Sequence, residues 1–296
     1  MLDIAIATCS QLPDLDPDDH LFVKALENLG ARVTAVAWND PGHDWGQSEL
    51  CVVRSTWDYH KDPQGFLSWI HHASHKTKLL NPPDVLRWNI HKFYLKDLAK
   101  AGVAIVPTFW LRRRANADLR ELLDCLGWSE AVIKPAHGAS ADGVLHVRSG
   151  ERESGQVYLT SLLKQQDALL QPYLPTISSH HERALVFIGG EFSHAVTKMP
   201  FMHAGSDVSL RAALPPGASG EMPVEATEAE IAVATRALEA SPPGHVFARV
   251  DVVNDGTSPR VLEVELIEPT IYFYACPKAA EKLADAVVEY AASLSL

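Results

Sequence analysis

Most of the features that would place this sequence quickly are scarce or missing. It has four cysteines, Cys9, Cys51, Cys125 and Cys276, far apart and with no CxxC or Cys/His zinc spacing. That excludes a disulfide scaffold and agrees with a reducing, cytoplasmic address. No uninterrupted run of about 18 apolar residues occurs, so no helical membrane span is expected. The N-terminus, MLDIAIATCS, has no basic segment and carries Asp3, so it reads as a strand rather than a signal peptide. Basic residues are outnumbered, 26 Lys and Arg against 37 Asp and Glu, for a net charge of −11. This argues against a nucleic-acid polymer as main partner, because neutralising phosphates needs basic surface. The spacings GxxxxGK[ST] and GxGxxG are absent, and His71, His72 and His75 share a helix without the acid of HExxH.

What remains is a chain of 296 residues, 47% of them apolar, enough for about two domains with their own core. Strands are expected at 2–8, 32–38 and 50–56, with helices after Asp16-Pro17 and around 63–75. This pattern makes a small parallel α/β unit whose strand-end loops, TCSQLPDLD and RSTWDYHKD, are where substrate contacts gather. The pattern changes at Asn81-Pro82-Pro83, which sets a boundary between an N-terminal α/β domain, 1–84, and a second domain, 85–296. The second domain reads as a helix carrying NIHKFYLKDLAKAG, then a strand at 103–111 and strands at 131–136, 143–147 and 168–174. A hairpin follows, RALVFIG and EFSHAVTKM joined by Gly189-Gly190, then a Pro/Gly/Ser-rich mobile loop at 203–223. A helix at 225–240, strands at 247–253 and 260–266 and a C-terminal helix at 278–293 complete it.

The strongest chemical signal lies in FARVDVV and RVLEVEL. Side chains alternate along a strand, so Arg249 and Asp251 share one face, and Glu263 and Glu265 share one face of the next strand. If the two strands pair, three carboxylates and an arginine converge. Hard oxygen donors at that density suit magnesium or manganese. Set against this is a solvated amphipathic strand pair, disfavoured because carboxylates at i, i+2 repel without a counter-ion. A second signal is lysine in apolar sequence. Lys134 in AVIKP precedes a small-residue loop, His137-Gly138-Ala139-Ser140-Ala141-Asp142-Gly143, whose backbone can approach phosphate oxygens closely. Lys92 lies on the preceding helix. A third is Gln171-Pro172-Tyr173-Leu174 at a strand end, followed by Glu182 and Arg183. Alone, each of the latter two is unspecific.

Their order resembles the ATP-grasp superfamily of carboxylate–amine ligases, which includes glutathione synthetase and D-alanine–D-alanine ligase. The resemblance rests on NIHK, VIKP, the small-residue loop, QPYL, HERALVFIGGEFSHAVTK, RVD and LEVE, and spans about residues 85–270. The strings LPDLDPDD, VVRSTWDY, VPTFWL and LEVELIEPT look most like the subgroup containing the O-ureido-serine cyclo-ligase of cycloserine biosynthesis. The resemblance implies an α/β ATP-grasp fold behind an N-terminal parallel α/β substrate domain, with a lid at about 107–172 and a metal-binding subdomain at about 173–296. It implies ATP and magnesium, two ions, with manganese as an alternative, and favours a homodimer.

It also implies roles by position. Lys92 and Lys134 would contact the α- and β-phosphates, while His137, Gly138, Ala139, Ser140 and Gly143 cover the triphosphate. Gln171, Tyr173 and Leu174 would line the adenine pocket, with Glu182 at the ribose and Lys198 near phosphate or substrate. Asp251, Glu263 and Glu265 would hold metal, and Arg249 would stabilise charge on the acyl intermediate. Arg54, Thr56, Asp58, Arg183 and Glu268 are candidates for holding a small amino-acid-like substrate. Two departures stand out: relatives often have Asn at the position of Glu265, and Gly at that of His181. The implied activity is ADP-forming carbon–nitrogen ligation, intramolecular or between two molecules. An ATP-grasp kinase acting on a hydroxyl and a non-catalytic nucleotide sensor are the alternatives.

Overall fold

The computed structural model describes residues 1–139, 141–198 and 220–293. Three sheets carry the chain. Sheet one holds β1 (Asp3–Thr8), β2 (Arg32–Ala37), β3 (Leu50–Val53) and β4 (Lys78–Leu80), parallel, in the order β2-β1-β3-β4. Its helices start where local chemistry dictates. The Asp16 carboxylate accepts the Asp18 N–H at 2.7 Å and caps a short 3-10 turn that runs into α1 (His20–Asn28). Asp62 accepts the Gly65 N–H at 2.9 Å and Pro63 opens α2 (Pro63–Ser74).

Between sheets one and two lie α3 (Pro83–Asn89) and α4 (Tyr94–Lys100). Sheet two is antiparallel: β5 (Phe109–Leu111), β6 (Ala131–Pro135), β7 (Leu145–Val147) and β8 (Ala168–Pro172), in the order β5-β8-β6-β7. It is covered by α5 (Leu119–Leu126) and α6 (Arg152–Gln165), and its apolar core (Leu111, Leu119, Ile133, Val147, Leu159, Leu170) is its own. After α7 (Ile177–His180) comes sheet three, with β9 (Glu182–Ile188), β10 (Glu191–Lys198), β11 (Met222–Val224), β12 (Phe247–Asn254) and β13 (Pro259–Glu265). Its order is β11-β10-β9-β12-β13, also antiparallel.

One face of sheet three packs on α8 (Glu228–Glu239), which a Thr227/Glu230 capping box starts. The other face shares a core with sheet one. Ile4, Ile6 and Leu50 meet Val186, Val196 and Phe247, together with Leu283 and Val287 of α9 (Lys278–Ser293). Polar stitches reinforce that junction. Buried Asn81 donates to the carbonyls of Phe247 and Leu266, each at 2.8 Å, and accepts the Val246 N–H at 2.7 Å. Asp18 accepts the N–H groups of Phe273 and Tyr274, each at 2.8 Å.

Several expectations need correction. The helix expected over NIHKFYLKDLAKAG is two helices broken at 90–93, because Asn89 and Tyr94 are turned to the backbone of β13. Asn89 donates to the Val264 carbonyl and accepts the Leu266 N–H, and the Tyr94 hydroxyl accepts the Val264 N–H. Lys92 therefore lies in the turn and not on a helix. The strand expected at 103–111 is regular only from Phe109; Pro107 has no N–H to continue a ladder, and 104–106 instead pair with Val261. Of the loop expected at 203–223, residues 203–219 and the candidate Ser140 lie outside the described residues, while Met222–Val224 is a strand paired with β10. Helix α5 was not anticipated, although Asp118 caps it and Gly127 ends it at φ 68°. Among the described residues, no helix is long and apolar enough to cross a membrane.

Candidate active site

The centre of the site is the β12/β13 pair. Arg249 lies opposite Glu265 and Asp251 opposite Glu263, with a bulge just after Asp251. Side chains at 250, 252 and 264 enter the core beneath, which leaves Arg249, Asp251, Glu263 and Glu265 on the other face. One oxygen from each of the three carboxylates lies within 4.8 Å of the others. The buried Arg249 guanidinium forks onto Asp251, with Nε to Oδ1 at 2.8 Å and Nη2 to Oδ2 at 3.0 Å, and also donates to Glu265.

Three lysines reach the same place from separate elements. Lys92 pairs with Glu263; its turn is held by the Lys92 N–H donating to the Ala136 carbonyl at 2.8 Å. Lys198, at the end of β10, bonds Asp251 Oδ2 at 2.7 Å and Glu182. Lys134 and Gln171 point away from the sheet-two core, because their strand neighbours Ile133 and Leu170 fill it. Burial pulls Lys134 down to about 8, with Lys92 and Lys198 adding to the effect and Glu182 opposing it. For Asp251, burial works against ionisation, but Arg249 and Lys198 outweigh it and hold the carboxyl well below the usual range. Glu182 goes the other way, raised by burial and by Asp251 against the pull of Lys198. Glu268 is pushed up to about 8, first by burial and then by the charge of Glu265.

The remaining candidates divide. Residues 137–143 form a loop whose start is fixed by His137, with its N–H on Gln166 and its ring on the Ile90 carbonyl, each at 3.0 Å. Space is tight at both glycines: a Cβ at Gly138 would meet Pro135 at 3.1 Å and one at Gly143 would meet Tyr158 Oη at 3.2 Å, and Gly143 also sits at φ +70°, which favours glycine. Gln171 is buried, donates to Thr108 Oγ1 at 3.0 Å, and leaves its Oε1 without a partner. Tyr173 stacks on His146, ring centroids 4.0 Å apart, and its neighbour Leu174 accepts from the Ile177 N–H. His181 adopts φ 56° and ψ 169°, a backbone region nearly exclusive to glycine, so the position keeps a glycine-like backbone under a histidine.

Arg54 is buried and forked onto Asp19 at 3.0 and 2.7 Å, with its other terminal nitrogen unpartnered; the buried Thr56 hydroxyl is likewise without a partner. Trp57 donates to the Glu268 carbonyl at 3.1 Å, bringing Arg54, Trp57 and Glu268 around one small cleft. Two candidates are not brought there. Asp58 accepts from Trp38 Nε1 at 2.7 Å and lines a separate open cavity of about 570 Å³. Arg183 lies on the opposite face of sheet three from Glu182 and bonds Glu230 and the Glu225 carbonyl, both at 3.1 Å. The sequence reading missed Asp19, which orients Arg54, and Asn81, Asn89 and Tyr94, which fix the backbone of β13. Their partners lie 35 to 185 residues away, so no local pattern marks them.

The residues fit a bound nucleoside triphosphate and its divalent metal. Gln171 Oε1 is an orphaned buried acceptor, and three lysines stand beside an all-oxygen donor set of three carboxylates.

Comparison with known proteins gives the same picture. Residues 104–273 match the family described as "Prokaryotic glutathione synthetase, ATP-grasp domain". Residues 4–81 match "D-cycloserine synthetase DcsG, N-terminal domain". The cycloserine biosynthesis protein DcsG of Streptomyces lavendulae is 31% identical over 299 residues, covering 97% of this chain and 98% of that protein. The crystal structure of D-cycloserine synthetase DcsG superposes with a TM-score of 0.87 at 29% identity, covering 98% of this chain and 99% of the other. A D-alanine–D-alanine ligase structure from Bacillus anthracis shares the fold, with a TM-score of 0.71 at 15% identity, covering 99% of this chain and 98% of that one.

Proposed function

Because this chain belongs to the ATP-grasp family of ligases, in the group of the cycloserine biosynthesis protein DcsG, we propose that it closes a ring within one small amino-acid-like substrate. It is an ATP-dependent carbon–nitrogen ligase. The observation that carries the finer reading is the convergence of Asp251, Glu263 and Glu265 with Arg249, Lys92 and Lys198, beside a cleft that holds Arg54 and Glu268.

A substrate carboxylate oxygen attacks the γ-phosphorus of ATP, ADP leaves, and an acylphosphate forms. A nitrogen of the same molecule then attacks the acyl carbon, loses a proton, and expels phosphate as the amide closes. Lys92, Lys134 and Lys198 neutralise the phosphates through the first step, which is most of what phosphoryl transfer asks of a protein. Arg249 stabilises the tetrahedral oxyanion in the second. Gln171, Tyr173 and Leu174 seat the adenine and Glu182 the ribose. The small-residue loop, within a lid at about 107–172, shields the acylphosphate from water. Asp251, Glu263 and Glu265 would hold two magnesium ions, or manganese, which supply charge neutralisation at the transferring phosphoryl group. Arg54, Thr56 and Glu268 hold the substrate's charged groups in the 1–84 unit and beside it. Tethering both reacting groups in one molecule raises their effective concentration and favours ring closure. We place the enzyme in the cytoplasm, which its four free thiols suit, and as a homodimer.

The test offers O-ureido-serine, both enantiomers, with Mg-ATP, and reads ADP release and product mass. A cyclic product, with a hydroxamate on adding hydroxylamine, is expected. With free serine as a parallel acceptor, ADP release without hydroxamate and with phosphate on the serine hydroxyl would move the assignment to a kinase. A hydroxamate without cyclic product would move it to intermolecular ligation.

A further inference from the structure

The loop that flanks the phosphate cradle is tied across to sheet one at a point the ligase reading does not use. His60 sits in the short 3-10 turn Tyr59–Lys61, between β3 and α2, with its ring 8% exposed. Its Nδ1 lies 2.9 Å from the Trp57 carbonyl oxygen, and its Nε2 lies 3.0 Å from Asp142 Oδ2. A carbonyl and a carboxylate both only accept. A neutral imidazole has one N–H, so both contacts are satisfied together only in the doubly protonated ring, the form in which the His60–Asp142 contact is an ion pair.

Asp142 belongs to the 137–143 loop. The start of that loop is fixed by His137 and its exit by the Tyr158 hydroxyl on the Gly143 carbonyl, both within or beside sheet two. Ala139 packs on the aromatic cluster of sheet one that includes Tyr59 and Phe66. Ala141 holds φ 58°, a left-handed backbone unusual for alanine, so the chain beside Asp142 is shaped to present it. His60 also shares a seven-residue stretch with Arg54, Thr56 and Trp57, which line or border the substrate cleft.

We infer that His60 is a positioning residue: through its Nε2 it ties Asp142, and with it the phosphate-side loop, to the unit that holds the substrate. The pair keeps the loop seated while the acylphosphate exists, so that the tethered nitrogen reaches the acyl carbon before water does. This rests on the ligase reading above, and it adds that the polar part of the seat is the His60–Asp142 contact, beside the packing of Ala139.

The experiment compares wild type, His60→Ala, Asp142→Ala and the double variant in two measurements. Hydrogen–deuterium exchange across 137–143, without substrate, reports whether the loop is held. The ratio of ADP released to cyclic product, with Mg-ATP and O-ureido-serine, reports leakage to water. Each single variant is expected to speed loop exchange and raise the ADP-to-product ratio by roughly three- to tenfold, with the double no worse than either. His60→Lys, which restores a cation, should recover part of the ratio, which a merely structural role would not do. Unchanged exchange and an unchanged ratio in both single variants, while wild type makes product, overturn the pair alone. Wild type that makes no product removes the ligase reading and the coupling role together. Additive single effects also refute the pair.

Discussion

The metal assignment is most directly tested at Glu263. Its side chain is 25% exposed and its partner, Lys92, 13%. Replacing Glu263 by Gln keeps the shape and removes one charge. The ion pair is partly solvated, so its loss costs about 1 kcal/mol of stability at most, or roughly 2–4 °C in Tm for a chain of this size. The chemical cost is far larger. A carboxylate that neutralises the transferring phosphoryl group through metal acts chiefly in the transition state, and deleting one such stabilising group costs on the order of 10²–10³ in kcat. That corresponds to about 3–4 kcal/mol. Steady-state ADP release across a wide range of magnesium concentration should therefore show a collapsed kcat, part of which returns as magnesium rises, beside a melting curve close to wild type. Lys92→Met is the control, since it breaks the same pair from the other side. It should raise KM for ATP and leave the magnesium dependence in place. If E263Q keeps a third or more of its turnover at ordinary magnesium, or if K92M reproduces its magnesium dependence, then Glu263 serves as a structural counter-ion and the argument is wrong.

Three other outcomes follow from the geometry. Gln171→Leu removes the orphaned buried acceptor, so KM for ATP should rise about tenfold with little change in kcat; an unchanged KM would take Gln171 out of the adenine site. Burial holds Lys134 at about 8, below the ordinary lysine value, so the free enzyme loses that positive charge as pH rises through 8. The kcat/KM for ATP should therefore fall on the alkaline side, and Lys134→Arg, which stays charged, should flatten that limb; a limb that persists in K134R assigns it to another group. Asn81→Ala strands two carbonyls and an amide at the junction of sheets one and three, so stability should drop by roughly 2–4 kcal/mol in chemical denaturation, whereas a loss below about 1 kcal/mol would mean that water replaces the side chain.

What could be read from the sequence was what period and local chemistry encode. Alternation along β12 and β13 puts Arg249, Asp251, Glu263 and Glu265 on one face, and the register of the folded pair matches that geometry. The same rule explains the separation of Arg183 from Glu182, which adjacent numbering had obscured. What could not be read depends on distant partners. The helical period through NIHKFYLKDLAKAG is real, yet the helix breaks because Asn89 and Tyr94 find the β13 backbone some 170 residues later. The role of Asp58 turns on Trp38, which a local view of RSTWD does not include. The charge balance was also incompletely legible. Asp251, Glu263 and Glu265 read in sequence as carboxylates for metal, whereas in the folded site each of the three already faces a protein cation, Lys92, Lys198 or Arg249.

The shared core between sheets one and three has a mechanical consequence. Their buried side chains form one continuous cluster, stitched by Asn81 and Asp18, while the interior of sheet two is largely its own and lends Ala136, Leu169 and the half-buried Trp110 to the core beneath sheet three. Two of the three layers thus share one core, and sheet two joins them through its connections at 103–108 and 173–176 with much less shared apolar packing. Asp251, Glu263 and Glu265 lie on the shared core, and Lys134 and Gln171 lie on sheet two. A nucleotide held as proposed above would therefore bridge two separately packed parts of the chain, its phosphates on the acids of one and its base against the other.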